Sequence, residues 1–544
     1  MPALSISSVR SPALCTAGVA ARSRSATLAR VAILAGATLV ALTVRVASLE
    51  TYGFSEDEIN KLEAIEQYRI GRFGANAEHP LLMKLALWGS VEAADAWNRI
   101  AAPDAALPLE AAIRLPNALA GAATTVVLFS VAELLFGGVV AAAVSIIWAF
   151  DVNAIAINRI GKEDTFLLLF FLAGVYCYER AKHEGAANLV PAQRWYTTSG
   201  AAFGAMLASK YMPQYLGIYA LFNLLTDRNP GKNRPNALAH YGAMGAAFVV
   251  TNATLLLPST WRYLATYVTG RMLVHHGYPY DGALYVTNVP ISPLGVPPSF
   301  YLRLLATKVP LVVLAALVPG VIELIRRRHE RGFVLLRVLA VFLLVPYSLM
   351  AAKFLRYSLP MLATVDLLAA IGLVAGVEWL LRKQWLAPTT RVGAAGLTVA
   401  VFAGGIVLAQ REAAPYYSLF QNAVGARVNV APPAFPEETY DYGVREAVAA
   451  VAASAAPSAV IVSDAPAVVA HYLRMLGRPD IGATSLSGDG LDRHRGEAWA
   501  IVQDEHLTFE NEALVSQLRV GGTPWREIRM ADRLAAQVFR VAER

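Results

Sequence analysis

Apolar residues in this chain come in long runs. They lie near 31–49, 112–136, 138–157, 165–179, 196–209, 211–226, 238–258, 303–325, 333–351, 358–381 and 393–410. A bilayer core needs roughly twenty apolar residues of helix, fewer where the membrane thins. The pattern therefore predicts about eleven transmembrane helices, with the short runs at 196–209 and 211–226 open to miscounting. Leu81 to Trp97 is also apolar but carries Lys84, Glu92 and Asp95. It reads as an amphipathic helix on the outer interface, since counting it as a span would invert every later loop. Beyond Gln410 the texture changes. Ala459–Ser463 and Ala498–Val502 read as buried strands between helical stretches. The expected fold is an all-α polytopic membrane bundle with a small C-terminal α/β domain.

Charge orients the bundle. Alternate loops are basic: Arg180, Lys182 and Arg194; Arg228, Lys232 and Arg234; Arg326, Arg327, Arg328 and Arg331; Arg382, Lys383 and Arg391. Basic loops stay cytoplasmic, so the N-terminus is expected inside and, with an odd span count, the C-terminal domain outside. Residues 1–30, Ser/Ala-rich with Arg10, Arg22, Arg24 and Arg30, read as a cytoplasmic tail; a signal or transit segment is the alternative. Residues 31–410 form the membrane domain. Residues 411–436, ending in Ala431-Pro432-Pro433-Ala434-Phe435-Pro436, read as a linker, and 437–544 as the extracytoplasmic domain.

Composition agrees. The chain is 56% hydrophobic and 16% charged, against about a quarter charged in soluble proteins. The net charge of +7 sits in short clusters between apolar runs, which is membrane orientation and excludes a nucleic-acid surface. Cys15 lies in the tail and Cys177 inside an apolar run, so no disulfide is expected.

The remaining ionisable residues gather on the outer side. Asp57, Glu58, Glu78, His79, Arg114, Arg159, Lys162, Asp164, Lys210, Lys308, Lys353 and Arg356 come from separate segments, yet the topology puts all of them there. Ionisable residues in or beside spans are costly and usually mark a site, although lysines and arginines also snorkel to interfaces. Carboxylates beside apolar surface suit a general base, a metal or sugar hydroxyls. Converging cations suit a phosphate at headgroup depth.

Several stretches resemble a known family. Asp57-Glu58, Gly71-Arg72-Phe73 and His79-Pro80-Leu81-Leu82-Met83-Lys84-Leu85 resemble the first-loop signature of protein O-mannosyltransferases, with Leu81 replacing a second proline. Arg114-Leu115-Pro116-Asn117-Ala118-Leu119-Ala120-Gly121 resembles the start of their next helix. Arg159 to Asp164 is similar to their Arg-x-x-x-x-Asp turn, and Lys308-Val309-Pro310 to their Lys-Thr-Pro. Phe354-Leu355-Arg356-Tyr357-Ser358-Leu359-Pro360 resembles the Arg-Tyr-x-x-Pro of related bacterial enzymes. The order holds over roughly residues 30 to 410. The resemblance is to the glycosyltransferase C (GT-C) superfamily, in its dolichyl-phosphate-mannose protein mannosyltransferase-like branch. The lipid A aminoarabinose transferase is a cousin with Glu-Lys-Pro where this chain has Glu78-His79-Pro80. The loop from Ser259 to Phe300 is too short for the β-trefoil of the eukaryotic enzymes.

The resemblance implies an inverting transfer of a sugar from a polyprenyl-phosphate donor to an extracytoplasmic hydroxyl, on a protein or a glycolipid. It implies a bacterial inner-membrane enzyme whose site faces the periplasm. Asp57 would be the general base, and Glu58 would orient the acceptor or Asp57. Arg114, Lys308 and Arg356, then Arg159 and Lys210, would hold the phosphate. Glu78, His79 and Asp164 would contact substrate. No cofactor is required, and Glu78 with His79 leaves room for a divalent metal. Transport or flipping of lipid-linked sugars is the rival reading, but transporters usually carry repeats and midplane charges. The intact acids disfavour a catalytically dead scaffold.

Overall fold

A computed structural model describes residues 12–541 apart from 186–188, 228–234, 270–273, 289–294, 429–433, 436–437 and 488–495. Arg228, Lys232, Arg234 and most of the Pro-rich stretch thus lie outside the described residues. The chain opens with α1 (Pro12–Val46), so helix already runs through most of the expected tail. It continues with α2 (Glu56–Arg69), α3 (Leu81–Asn98), α4 (Leu109–Phe136), α5 (Gly138–Phe150), α6 (Val152–Asn158) and α7 (Asp164–Gly185). Next come α8 (Leu189–Ser209), α9 (Gln214–Thr226), α10 (Ala237–Thr251) and α11 (Pro258–Val268). A hairpin of β1 (Val274–Tyr280) and β2 (Ala283–Asn288) precedes α12 (Phe300–Lys308), α13 (Leu311–Arg326), α14 (Arg331–Leu349), α15 (Leu359–Leu381) and α16 (Pro388–Ala413).

Among the described residues, five helical segments are long and apolar enough to cross a membrane. The number is up to seven if the bent pairs α5–α6 and α12–α13 each count as one span. This makes the chain an integral membrane protein. The other four expected spans are helical (α7 to α10) but shorter or more polar, so the expectation of about eleven rests on them. They do run between the same two ends as the rest. At one end Arg331 bonds Glu179 and Asp227, and Arg30 bonds Glu133. At the other, Lys210 bonds Asp164, and the side-chain oxygen of Asn252 accepts the Leu81 N–H. The described basic loops and the acidic first loop therefore occupy opposite ends. A reporter fused after Gln410 is expected to score outside and one within Arg326–Arg331 inside; same-side signals would refute this arrangement.

Small residues let helices approach closely. A Cβ on Gly320 would lie 2.1 Å from the Leu368 carbonyl, and one on Gly372 1.9 Å from that of Ala316. That seam between α13 and α15 follows the small-residue rule of membrane helices. Leu81 to Trp97 forms α3 as expected, burying Leu81, Met83, Leu87 and Val91.

The C-terminal region is an α/β domain, preceded by a helical turn, α17 (Gly425–Val428). It contains α18 (Val444–Ser454), β3 (Val460–Val462), α19 (Pro466–Met475), β4 (Gly482–Thr484), β5 (Ala498–Val502), α20 (Glu512–Gly521), β6 (Arg526–Met530) and β7 (Arg533–Val541). The strand order is β4-β3-β5-β7-β6, with β3 parallel to β4 and β5 and the other pairs antiparallel. The expected strands at 459–463 and 498–502 are β3 and β5, and both are buried throughout, as their unbroken apolar sequence requires.

This domain is not held by a loose linker. Its Val448, Ile461 and Val468 share one apolar cluster with Phe54, Ile59 and Leu62 of the first loop. The stretch after α16 is docked as well. Pro310 has no N–H to offer the Ala306 carbonyl, and α12 and α13 bend by 119° at this break. Asn422 fills the gap, its side-chain amide donating to the carbonyls of Ala306 and Val309 at 2.8 and 2.7 Å.

Candidate active site

The first-loop acids are placed by a helix start. Ser55 caps α2: its hydroxyl accepts the Glu58 N–H at 3.3 Å, and the Glu58 carboxylate accepts the Ser55 N–H at 3.1 Å. This reciprocal Ser-x-x-Glu box satisfies two otherwise unpaired donors. Glu58 is also fully buried against Arg114, which grips it through Nε at 2.8 Å and Nη2 at 2.7 Å. Arg114 spends its other donors on the carbonyls of Leu49, Tyr52 and Gly53. All five guanidinium N–H groups are thus occupied, and none is left for a phosphate. The pair is an internal strut: of the two roles expected of Glu58, orienting the acceptor or Asp57, this geometry favours the second, and the donor-binding role expected of Arg114 is corrected to a structural one. The second acidic residue of the motif thereby sets the position of the first.

Asp57, one residue earlier, points the other way. Lys162 Nζ lies 2.6 Å from its Oδ2, Tyr440 donates its hydroxyl to the same oxygen at 2.9 Å, and Arg356 stands 3.9 Å off. Burial alone would raise the Asp57 pKa, but Lys162, then Arg356 and Lys61, outweigh it and hold the carboxyl well below the usual range. Lys162 is itself lowered to about 8, by burial and then by Arg356. Asp57 opens on a cleft of about 650 Å³ between the first loop, the β1–β2 hairpin and the α/β domain. Arg356 lines the cleft too, with its guanidinium 4.1 Å from the Phe354 ring centre.

The turn before α7 holds the next layer. Asn117 donates its amide to the Lys162 carbonyl at 2.5 Å, and a Cβ on Gly121 would collide with Asn158. The Arg114–Gly121 motif therefore braces the turn that carries Lys162. Asp164 pairs with Lys210 at 2.7 Å, and Lys210 lies 4.4 Å from the Tyr357 ring centre, beside Arg356 in sequence. Behind Asp57, Lys61 bridges to Glu163 at 3.2 Å, and His79 Nδ1 lies 3.8 Å from the same carboxylate. Glu78 faces a separate cavity with Asn60, Glu63 and Arg474, away from Asp57.

Two further cations are committed elsewhere. Arg159 donates to the carbonyls of Val44, Arg45, Ala47 and Ser48, closing the C-terminal end of α1. Lys308 pairs with buried Glu438 at 2.6 Å and donates to the Ser418 carbonyl. The phosphate roles expected for Arg159 and Lys308 are therefore corrected to structural ones. Of the expected phosphate ligands, Arg356 stands beside Asp57, joined by Lys162, while Lys210 is paired with Asp164. Tyr440 was missed altogether, since nothing local marks a tyrosine in a tail as belonging to a site in the first loop.

For metals, Asp441, Glu505 and His506 bring one ligand atom each within 4.8 Å of one another, the one such trio among the described residues. Each has protein partners. Glu505 accepts backbone N–H groups of 439 to 441, and Asp441 accepts the Glu56 N–H and contacts His506. Around Glu78 and His79, Lys61 already supplies positive charge.

Comparison with known proteins follows this geometry. Residues 108–257 match the family model of dolichyl-phosphate-mannose-protein mannosyltransferase, which includes the Arg114–Gly121 motif. No curated protein sequence is significantly similar to the chain. Among solved structures, ArnT from Cupriavidus metallidurans bound to undecaprenyl phosphate superposes with a TM-score of 0.53 at 14% identity, covering 92% of this chain and 97% of that one. Its apo state gives 0.51 at 14% identity, over 95% and 98%. The chain is an integral membrane protein whose overall fold is similar to that of ArnT, nearly end to end.

Proposed function

We propose that this protein is an inverting glycosyltransferase that moves a sugar from a polyprenyl-phosphate donor to an extracytoplasmic hydroxyl. The observation that carries the reading is Asp57, a carboxylate opening on a cleft at the membrane edge with Lys162 and Arg356 beside it. A phosphate entering there meets cations at headgroup depth, while its polyprenyl chain lies along the bundle. The acceptor oxygen attacks the anomeric carbon and its proton passes to Asp57. The bond from that carbon to the phosphate oxygen breaks, and its electron pair stays on the phosphate. Arg356, Lys210 and Lys162 stabilise that charge, so no general acid is needed. As Lys162 and Arg356 turn to the phosphate they loosen their hold on Asp57, which becomes a stronger base once the donor is bound.

The matched family and the undecaprenyl phosphate in ArnT support this donor class. Mannose is the first sugar to test, a protein or glycolipid hydroxyl the acceptor, and a bacterial inner membrane with a periplasmic site the setting. The placement of Asp57, Lys162 and Arg356 together at one end of the bundle counts against the transporter reading. The test incubates purified protein with undecaprenyl-phosphate sugars and a panel of peptide and glycolipid acceptors. Transfer with inversion is expected, and Arg356→Ala should lower kcat/KM for the donor by about tenfold or more. Absence of transfer from every donor, with flipping of the lipid in vesicles instead, would overturn the assignment.

A further inference from the structure

The strongest unexplained feature is the turn at Thr439–Gly443, where the α/β domain begins. Tyr440 and Asp441 adopt φ of +46° and +65° in succession. Residues with a Cβ avoid this left-handed region, and a bulky aromatic avoids it most. Such a conformation persists only where its surroundings impose it, and it clusters at functional sites. Here the surroundings are explicit. The Glu505 carboxylate accepts the N–H groups of Thr439, Tyr440 and Asp441 at 3.3, 3.1 and 2.8 Å. Asp441 in turn accepts the Glu56 N–H at 2.7 Å, at the first residue of the helix that carries Asp57.

We infer that Tyr440, delivered by the α/β domain, is a positioning residue for Asp57, so that this domain completes the active site in cis. The inference rests on Asp57 being the base. Its geometric basis is the 2.9 Å hydrogen bond from the Tyr440 hydroxyl to Asp57 Oδ2. Lys162 and Arg356 meet that same oxygen, which assigns Oδ1 to the acceptor hydroxyl. A purely structural clamp does not need this hydroxyl. Arg445 already donates to the carbonyls of Glu50 and Thr51. Tyr472 accepts the Phe54 N–H and donates to Glu110, and Asp441 holds Glu56. The strained turn adds one thing to those anchors: a neutral donor on the base.

The groups facing Asp57 are Lys162 from the turn before α7, Arg356 ahead of α15, Lys61 and Glu56 on α2, and Tyr440. Among them Tyr440 alone orients the carboxylate without adding charge. Removing its hydroxyl takes a donor from the ionised carboxylate, so the proton affinity of Asp57 rises.

The experiment compares Tyr440→Phe with the full-length wild type in detergent, using undecaprenyl-phosphate mannose and the acceptor selected from the panel. kcat is expected to fall about 10- to 100-fold, the range for losing a hydrogen bond to a charged group. Binding of undecaprenyl phosphate should be unchanged, and the acidic limb of the pH–kcat profile should move to higher pH. Tyr440→Phe should add no further loss to Asp57→Asn, because the hydroxyl acts through that carboxylate. Wild-type kcat and an unmoved acidic limb in Tyr440→Phe, with Asp57→Asn inactive, would overturn this inference alone. Failure of Tyr440→Phe to accumulate as folded protein would also overturn it, by making the hydroxyl structural. Near-normal transfer by Asp57→Asn would overturn the base assignment and this inference together.

Discussion

Asp57→Asn is expected to cut turnover by at least about 100-fold, the low end for loss of a general base. The substitution keeps the shape of the side chain and its place on α2, where the Ser55–Glu58 cap fixes the helix start. It removes the charge that accepts the proton. Binding of undecaprenyl phosphate should be retained or tightened, since Lys162 and Arg356 would no longer divide their charge with a carboxylate. Asp57→Ala should be equally inactive. Measuring single-turnover transfer beside lipid binding separates the two effects. An Asp57→Asn enzyme with near-normal transfer would end the assignment, and Glu56, on the same cleft, would be examined next.

Arg114→Met should act on stability instead. Breaking a buried ion pair by removing one partner costs about 3–5 kcal/mol, because the other charge is left uncompensated. Here Glu58 would be stranded with no exposure, and the carbonyls of Leu49, Tyr52 and Gly53 would lose their donor. Thermal unfolding of the purified protein should shift strongly downward, with a smaller loss for Arg114→Met/Glu58→Leu, which strands no charge. The first-loop motif sits on this strut, so activity should fall along with the folded fraction. If Arg114→Met unfolded normally and only the donor KM rose, Arg114 would return to the phosphate site.

The contrast between these two neighbours shows where local information stops. Apolar runs, alternating basic loops and the unbroken strands at 459–463 and 498–502 are written locally, because hydrophobic period and loop charge act over a few residues. The position of Asp57 just beyond the first span is local too, and this places it at the membrane edge. Asp57 and Glu58 read alike in the sequence, and the Ser55–Glu58 capping box that separates their roles emerged only with the structure. The same chemistry-bearing residues gave no hint of their partners. Arg114 meets Glu58 across 56 positions, Lys308 meets Glu438 across 130, and Tyr440 meets Asp57 across 383.

Any buried cation must find a counter-charge or a set of carbonyls, and the sequence offers many of each. Only packing selects among them. It made Arg114, Arg159 and Lys308 into struts, left Arg356 and Lys162 beside Asp57, and seated the α/β domain on the first loop through one shared core. The chain by itself determined a membrane bundle with its acidic first loop beside the first span. The tertiary structure decided which cations face that acid, because the competition for each buried charge is settled by neighbours far away in sequence.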